Sequence, residues 1–270
     1  MTARAAFPRR FALPRLAVAL SVAAMLAVTG CASPKKIDGT TTGSISQPRT
    51  QQDYEKAASY WGQRYQQNPK DREAALNYAA ALRRTGSAAQ AVAVLQKAAI
   101  YYPEDRTVLA AYGKALATAG QLDRALDAIR RAQLPDQPDW QLVSAEAAIL
   151  DQMGNQAGAR RLYAQALALA PNEPSVLSNY GMSFVLSGEL PEAEKLLRKA
   201  ITVSGADSRV RQNLALVVGL QGRFEEAQQI AAAEISPEQA RENVAYLKQM
   251  LAQRDNWQAL KSGRSGSSKS

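Results

Sequence analysis

The chain has 270 residues, a formal net charge of +9, no histidine and a single cysteine, and 46% of its residues are hydrophobic. One cysteine excludes an internal disulfide or a thiolate metal cluster, and the lack of histidine excludes histidine-based triads and removes the commonest metal ligand. Few aromatics beside abundant Ala, Leu, Gln, Glu and Arg favour helices, and residues 31–270, with 29 basic and 24 acidic side chains, carry a net +5, too mild by itself to imply a nucleic-acid partner.

Arg4, Arg9, Arg10 and Arg15 stand in the first fifteen residues without an acid, and from Leu16 to Val28 every residue but Ser21 is apolar. A bilayer crossing needs about 20 apolar residues. This shorter run is the core expected of a secretory signal peptide over 1–30. Its end, Val28-Thr29-Gly30-Cys31, resembles the bacterial lipobox. That resemblance implies cleavage before Cys31 and covalent lipid on its thiol, with no other cofactor expected. Two or more acyl chains, at about 0.8 kcal/mol per buried methylene, hold a soluble domain where one would not. Ala32 stands where an Asp typically retains a lipoprotein at the inner membrane, so the implied location is the outer membrane, periplasmic face. An ordinary signal peptide with a chance cysteine nearby is the alternative.

Residues 31–50 are polar and rich in Gly, Ser and Thr, too poor in apolar side chains to offset their ordering entropy, and are expected to be a flexible tether. In 51–70, Tyr54, Ala58, Trp61 and Tyr65 share one helical face, which suits an N-terminal capping helix.

From there a step of 34 residues governs the chain. Gly86, Gly120, Gly154, Gly188 and Gly222 follow it, as do Ala91, Ala125, Ala159, Ala193 and Ala227, and the small residues Ala79, Gly113, Ala147, Gly181 and Ala215. The glycine ends a first helix, where positive φ is favoured, and the two small positions let helices approach closely. Bulky residues fill the gaps: Tyr78, Tyr112 and Tyr180 in first helices, Leu95, Ile129, Tyr163 and Leu197 in second ones. VLAAYGKALATAGQLDRALDAIRRA (108–132) and VLSNYGMSFVLSGELPEAEKLLRKA (176–200) closely resemble tetratricopeptide repeats. The fold expected is an all-α helix-turn-helix solenoid of five repeats, at 71–104, 105–138, 139–172, 173–206 and 207–240. Glu146 departs from the pattern in the third repeat. Arg211, Ala231 and Glu234 depart in the fifth, whose packing should be looser. A C-terminal capping helix is expected over 241–260, opening after Ser236-Pro237 with Val244, Leu247, Met250 and Leu251 as its apolar stripe, and a disordered tail over 261–270.

Catalysis finds little support. No GxxxxGK[ST] phosphate loop is present, and Glu189, Glu192 and Glu194 are explained by the dipole of a helix start. Signal, tether, caps and repeats consume the chain, so binding rather than enzyme activity is expected. By repeat register the inner face of the solenoid gathers Glu73, Leu76, Ala80, Arg83 and Lys114 toward its N-terminal end. Toward its C-terminal end stand Ser178, Met182, Val185, Gln212 and Leu216, the candidate partner-binding groove. Met182, Val185 and Leu216 could equally be core beneath the C-terminal helix, and that alternative stays open. Asn77, Asn179 and Asn213 share one register position, which resembles part of a peptide-carboxylate clamp. The clamp's basic residues are not assembled, and backbone hydrogen bonding between repeats is the better expectation.

RVRQNLALVVGLQGRFEEAQQIA (209–231) followed by PEQARENVAYLKQML (237–251), with the start QQDYEKAASYWGQRYQQNPKD, resembles the tight-adherence (Flp) pilus assembly lipoproteins, the TadD family. The resemblance implies an outer-membrane scaffold that assists secretin assembly in a pilus secretion apparatus, with secretin or other pilus components as partners. A scaffold for peptidoglycan enzymes, or a subunit of the machinery that folds outer-membrane barrels, are the alternatives.

Overall fold

The computed structural model describes residues 50–266, with side chains through Gln253. The expected signal peptide, the lipidation site Cys31 and nearly all of the tether lie outside the described residues. Among the described residues the regular elements are twelve helices and one isolated bridge, between Leu134 and Gln137.

Five first helices of 13 residues each begin 34 residues apart: α2 (Arg72–Arg84), α4 (Arg106–Thr118), α6 (Trp140–Gln152), α8 (Pro174–Leu186) and α10 (Ser208–Leu220). An acid starts every one. Asp71, Asp105, Asp139, Glu173 and Asp207 are N-caps whose carboxylates accept from backbone N–H groups of the first turn, at 2.8 to 3.2 Å. Such caps satisfy orphan donors and oppose the positive helix end. This series went unread in the sequence. The far ends close through Gly86, Gly120, Gly154, Gly188 and Gly222, whose φ lies between 74° and 83°, where a side chain would be strained.

The second helices are α3 (Ala88–Tyr101), α5 (Leu122–Ala132), α7 (Gln156–Leu169), α9 (Leu190–Ile201) and α11 (Phe224–Ala232). Ala91, Ala125, Ala159, Ala193 and Ala227 are buried where they meet the first helices. The fit is tight: a β-carbon on Gly113 would stand 2.7 Å from Ile129 Cγ1, and one on Gly181 3.1 Å from Leu197 Cγ.

Tyr78, Tyr112 and Tyr180 are half-buried, and Tyr180 stacks on Tyr163 of the preceding repeat at 5.6 Å. Glu146, in the same register, makes an ion pair with Arg130 of the preceding repeat at 2.8 Å. Two of the three departures of the fifth repeat answer each other. Arg211 replaces an apolar residue and Glu234 an alanine, and the two form an ion pair.

Two helices flank the repeats. Thr50 and Asp53 form a capping box at the start of α1 (Gln51–Gln67), which packs on α2, with Gly62 against the ring of Tyr78. The last helix, α12 (Pro237–Gly266), begins four residues before 241 and runs through residue 266, into the segment expected as tail. Ser236 fixes the start: its hydroxyl accepts from the Gln239 N–H, and the Gln239 side chain accepts from the Ser236 N–H. No proline follows Pro237 to stop the helix. Ala240 and Val244 are buried and Leu247 is half-buried. They lie 30 residues after Val210, Leu214 and Val217, so α12 presents to α10 and α11 the face that a sixth first helix would present, four residues early. Met250 is half exposed, outside the packed stripe assigned to it.

Candidate partner-binding groove

Successive first helices touch along the array, α2 to α4 and so on to α12, whereas successive second helices do not. A row of helices in closer contact on one side curves toward that side, so the first helices form the inner face. Polar links join them: Arg83 Nε donates to Thr118 Oγ1 at 3.3 Å, Ser183 Oγ to Asp151 Oδ1 at 2.9 Å, and Asn213 Nδ2 to Ser178 Oγ at 3.0 Å. These links correct the expectation for the asparagines. Asn213 bonds a side chain of the neighbouring repeat, and Asn77 bonds the Glu73 carbonyl of its own helix.

The Asp151 link sits in a buried knot that the sequence reading missed. Burial holds the Asp151 carboxyl above its ordinary pKa, against hydrogen bonds from Ser183 and Tyr163 that favour its charge. Burial and the neighbouring Asp151 carboxylate push the Tyr163 phenol upward as well. Beside it, Arg160 lies over the Phe184 ring at 4.1 Å and makes an ion pair with Glu189 at 2.7 Å.

The five groove residues do not stay together. Ser178 is buried, with its hydroxyl engaged by Asn213, so it cannot fix a partner's polar groups from the surface. A small polar residue at a helix-helix contact is a link, and register alone does not distinguish that from a surface position. Met182 and Val185 are half-buried against the core of the fourth and fifth repeats. The last helix packs on α10 and α11 and makes no contact with α8, so it does not cover these two. Gln212 is exposed and donates to Ser208 Oγ at 3.0 Å. Leu216 is 38% exposed.

Gln212 and Leu216 instead line a cavity of about 470 Å³ between α10, α11 and α12, with Leu220, Ala231, Ile235, Tyr246, Leu247 and Met250 among its walls. Its origin lies in one departure from the repeat. Leu95, Ile129, Tyr163 and Leu197 fill this register in the other second helices, and Ala231 leaves it open. Leu247 takes part of the space, packing where Gly219 has no side chain: a β-carbon there would lie 2.5 Å from Leu247 Cδ2. Tyr246 and Met250, 66% and 50% exposed, stand at the mouth. An apolar hollow rimmed by exposed large apolar groups and a few polar ones can take up an apolar side chain of a protein segment. Tyr246, Leu220 and Ile235 escaped the sequence reading; Ala231, flagged there only as irregular, was the usable signal.

Among the described residues no group of His, Cys, Asp or Glu could hold a metal ion, and no helix is long and apolar enough to cross a membrane.

A sequence family described as Tetratricopeptide repeat matches residues 49–101, 83–141 and 144–209. No curated protein is matched. Solved structures share the fold at low identity. A tetratricopeptide repeat protein from Parabacteroides merdae is 14% identical with a TM-score of 0.64, over 73% of this chain and 79% of that one. A thermophilic repeat protein from Thermus thermophilus is 18% identical with a TM-score of 0.54, over 65% of this chain and 98% of that one. The Cut9-Hcn1 heterotetramer of the APC/C contains a chain 13% identical with a TM-score of 0.57, over 74% of this chain and 40% of that one. These likenesses are of fold alone.

Proposed function

Because the chain belongs to the tetratricopeptide-repeat family, whose arrays are protein–protein interaction scaffolds, we propose that it is a lipid-anchored scaffold for assembly of a tight-adherence-type pilus. Cys31 carries the lipid that holds it at the periplasmic face of the outer membrane, and the partner is the secretin or another pilus-assembly component. The observation that carries this reading is the wording of residues 209–251, which resembles the pilus assembly lipoproteins where the repeat pattern is least generic. The lipobox-like Val28-Thr29-Gly30-Cys31 supports the anchor. The cavity beside Leu216 supports a binding surface in that same part of the chain.

Two variants test it. Cys31→Ser is expected to leave uncleaved precursor and abolish membrane association, read by fractionation and intact mass. An unlipidated but normally cleaved wild-type protein would end the anchor reading. Met182→Glu with Leu216→Glu is expected to stop secretin assembly in cells while helicity and melting stay close to wild type, since both side chains already meet solvent. Unfolding of the C-terminal repeats would mean that these residues serve the core.

A further inference from the structure

The last helix carries two apolar stripes, and the array uses one of them. In the first, Ala240 and Val244 are buried, Leu247 lies against Gly219, and half-buried Leu251 closes the series. The next positions of that spacing are Arg254, Gln258 and Lys261, so the stripe suited to a core ends there. The second stripe is Asn243, Tyr246, Met250, Gln253, Trp257 and Leu260, in alternate steps of three and four. Its first four members are exposed, and Tyr246 and Met250 line the hollow. By helix geometry it lies about a third of a turn round from the packed stripe. Steps of three and four form the seam of a coiled coil.

Among the described residues α12 meets α10 and α11 alone, yet it stays helical through residue 266. From residue 254 onward that is about 20 Å of helix, all of it past the end of the packed stripe. A stretch so short is marginal in water unless a partner covers its apolar side. The seam asks for a helix of the same spacing, and α12 itself supplies one. Charge and register choose the direction. Glu238 and Glu242 outnumber Arg241 at the start of α12, and Arg254, Lys261 and Arg264 outnumber Asp255 toward its end. Antiparallel pairing sets the acidic start beside the basic end, whereas parallel pairing sets like beside like. It also lays the unsupported half against the half anchored on α10 and α11. With Tyr246 opposite Trp257 of a second copy, Asn243 faces Leu260 and Met250 faces Gln253, so all six seam residues are matched.

We propose that α12 is a dimerisation helix, which pairs antiparallel with α12 of a second copy so that Trp257 of each closes the hollow beside Tyr246 and Met250 of the other. The pairing goes beyond the scaffold reading and does not rest on it. A pilus component that enters the hollow has to displace this helix.

The test uses two differently tagged full-length copies co-expressed in cells, one with Trp257→p-benzoylphenylalanine, a photo-crosslinker. Irradiation is expected to join the two copies, and peptide mapping to place the link within residues 243–250. Tyr246→Glu, at an exposed site, and Leu260→Glu, past the packed stripe, are each introduced into both copies. Both are expected to abolish the adduct while circular dichroism shows the repeats still folded. The crosslinker at exposed Lys195 is expected to give no adduct between copies. Absence of the adduct from position 257, or an adduct with a different protein alone, would overturn the proposal. So would an equal adduct from position 195, or one undiminished in the folded Glu variants. A link within residues 254–260 would overturn the antiparallel register.

Discussion

In the second repeat, Ile129 fills the space between the paired helices so closely that a β-carbon on Gly113 would stand 2.7 Å from it. In the fifth, the residue of the same register is Ala231, and about 470 Å³ lies open beside it. Leu109 and Ala132 of the second repeat correspond to Arg211 and Glu234 of the fifth, an apolar pair exchanged for an ion pair. The first helices of the two are equally long, and Gly120 and Gly222 turn with φ of 74° and 83°. One backbone therefore serves two ends. A bulky residue seals the repeat as structure, and a small one opens it as a hollow that a partner can fill.

The sealed side should break hardest. Gly113→Leu drives a side chain into Ile129 and is expected to cost about 3 kcal/mol, with Ala159→Leu, at another fully buried small site, costing at least about 1 kcal/mol by the same mechanism. Denaturant melts would show both; a Gly113→Leu protein as stable as wild type would mean that the helices of the second repeat are not packed as described.

The ion pair of the fifth repeat comes next. Arg211→Leu or Glu234→Ala alone strands one partly buried charge, whereas the double variant restores the apolar pattern of the second repeat. A double-mutant cycle is expected to show favourable coupling, the double being more stable than either single. Additive losses would show that the two departures are independent.

Acid separates the regions by sign. Hydrogen bonding to Arg211 holds the Glu234 carboxyl below its ordinary value, and hydrogen bonds to Arg160 and Arg72 do the same for Glu189 and Asp105. Their stabilisation is complete above the unfolded carboxylate range, near about 4, and is lost as pH falls through the folded values. Asp151 runs the other way. Its folded value is raised by burial, so its contribution worsens as pH climbs from the unfolded value through the folded one. Asp151→Asn is therefore expected to gain on wild type in melting temperature between about pH 4 and neutrality, and a constant difference across that range would contradict the assignment. The smallest effect belongs to Lys195→Ala, at an exposed lysine 3.9 Å from Glu192, expected within about 0.5 kcal/mol of wild type.

Periodicity made the solenoid readable because steric demands recur in it: a turn glycine, two close-approach positions and a filler leave their trace every 34 residues. The acidic caps recur just as faithfully, but Glu173 interrupts the run of aspartates, and a cap is recognised by its bond to the backbone more readily than by its letter. The site was legible only in part. Leu216 could be placed on the inner face by register, but Ser178 shares the register of that face and is buried by Asn213, a side chain 35 residues away. The cavity needed the early start of α12, which sets Tyr246 and Met250 at the mouth and carries Leu247 onto Gly219. Pairing between Arg211 and Glu234 depends on α10 meeting the turn after α11, which no local pattern encodes.

Ala231→Leu tests the central claim most directly, because it gives the fifth repeat the filler that Leu95 and Leu197 supply in the first and fourth. Filling the cavity is expected to raise the melting temperature by about 2–4 °C and, in the same protein, to reduce secretin assembly in cells. A variant that melts higher and still assembles the secretin as wild type does would contradict the claim that this hollow receives the partner.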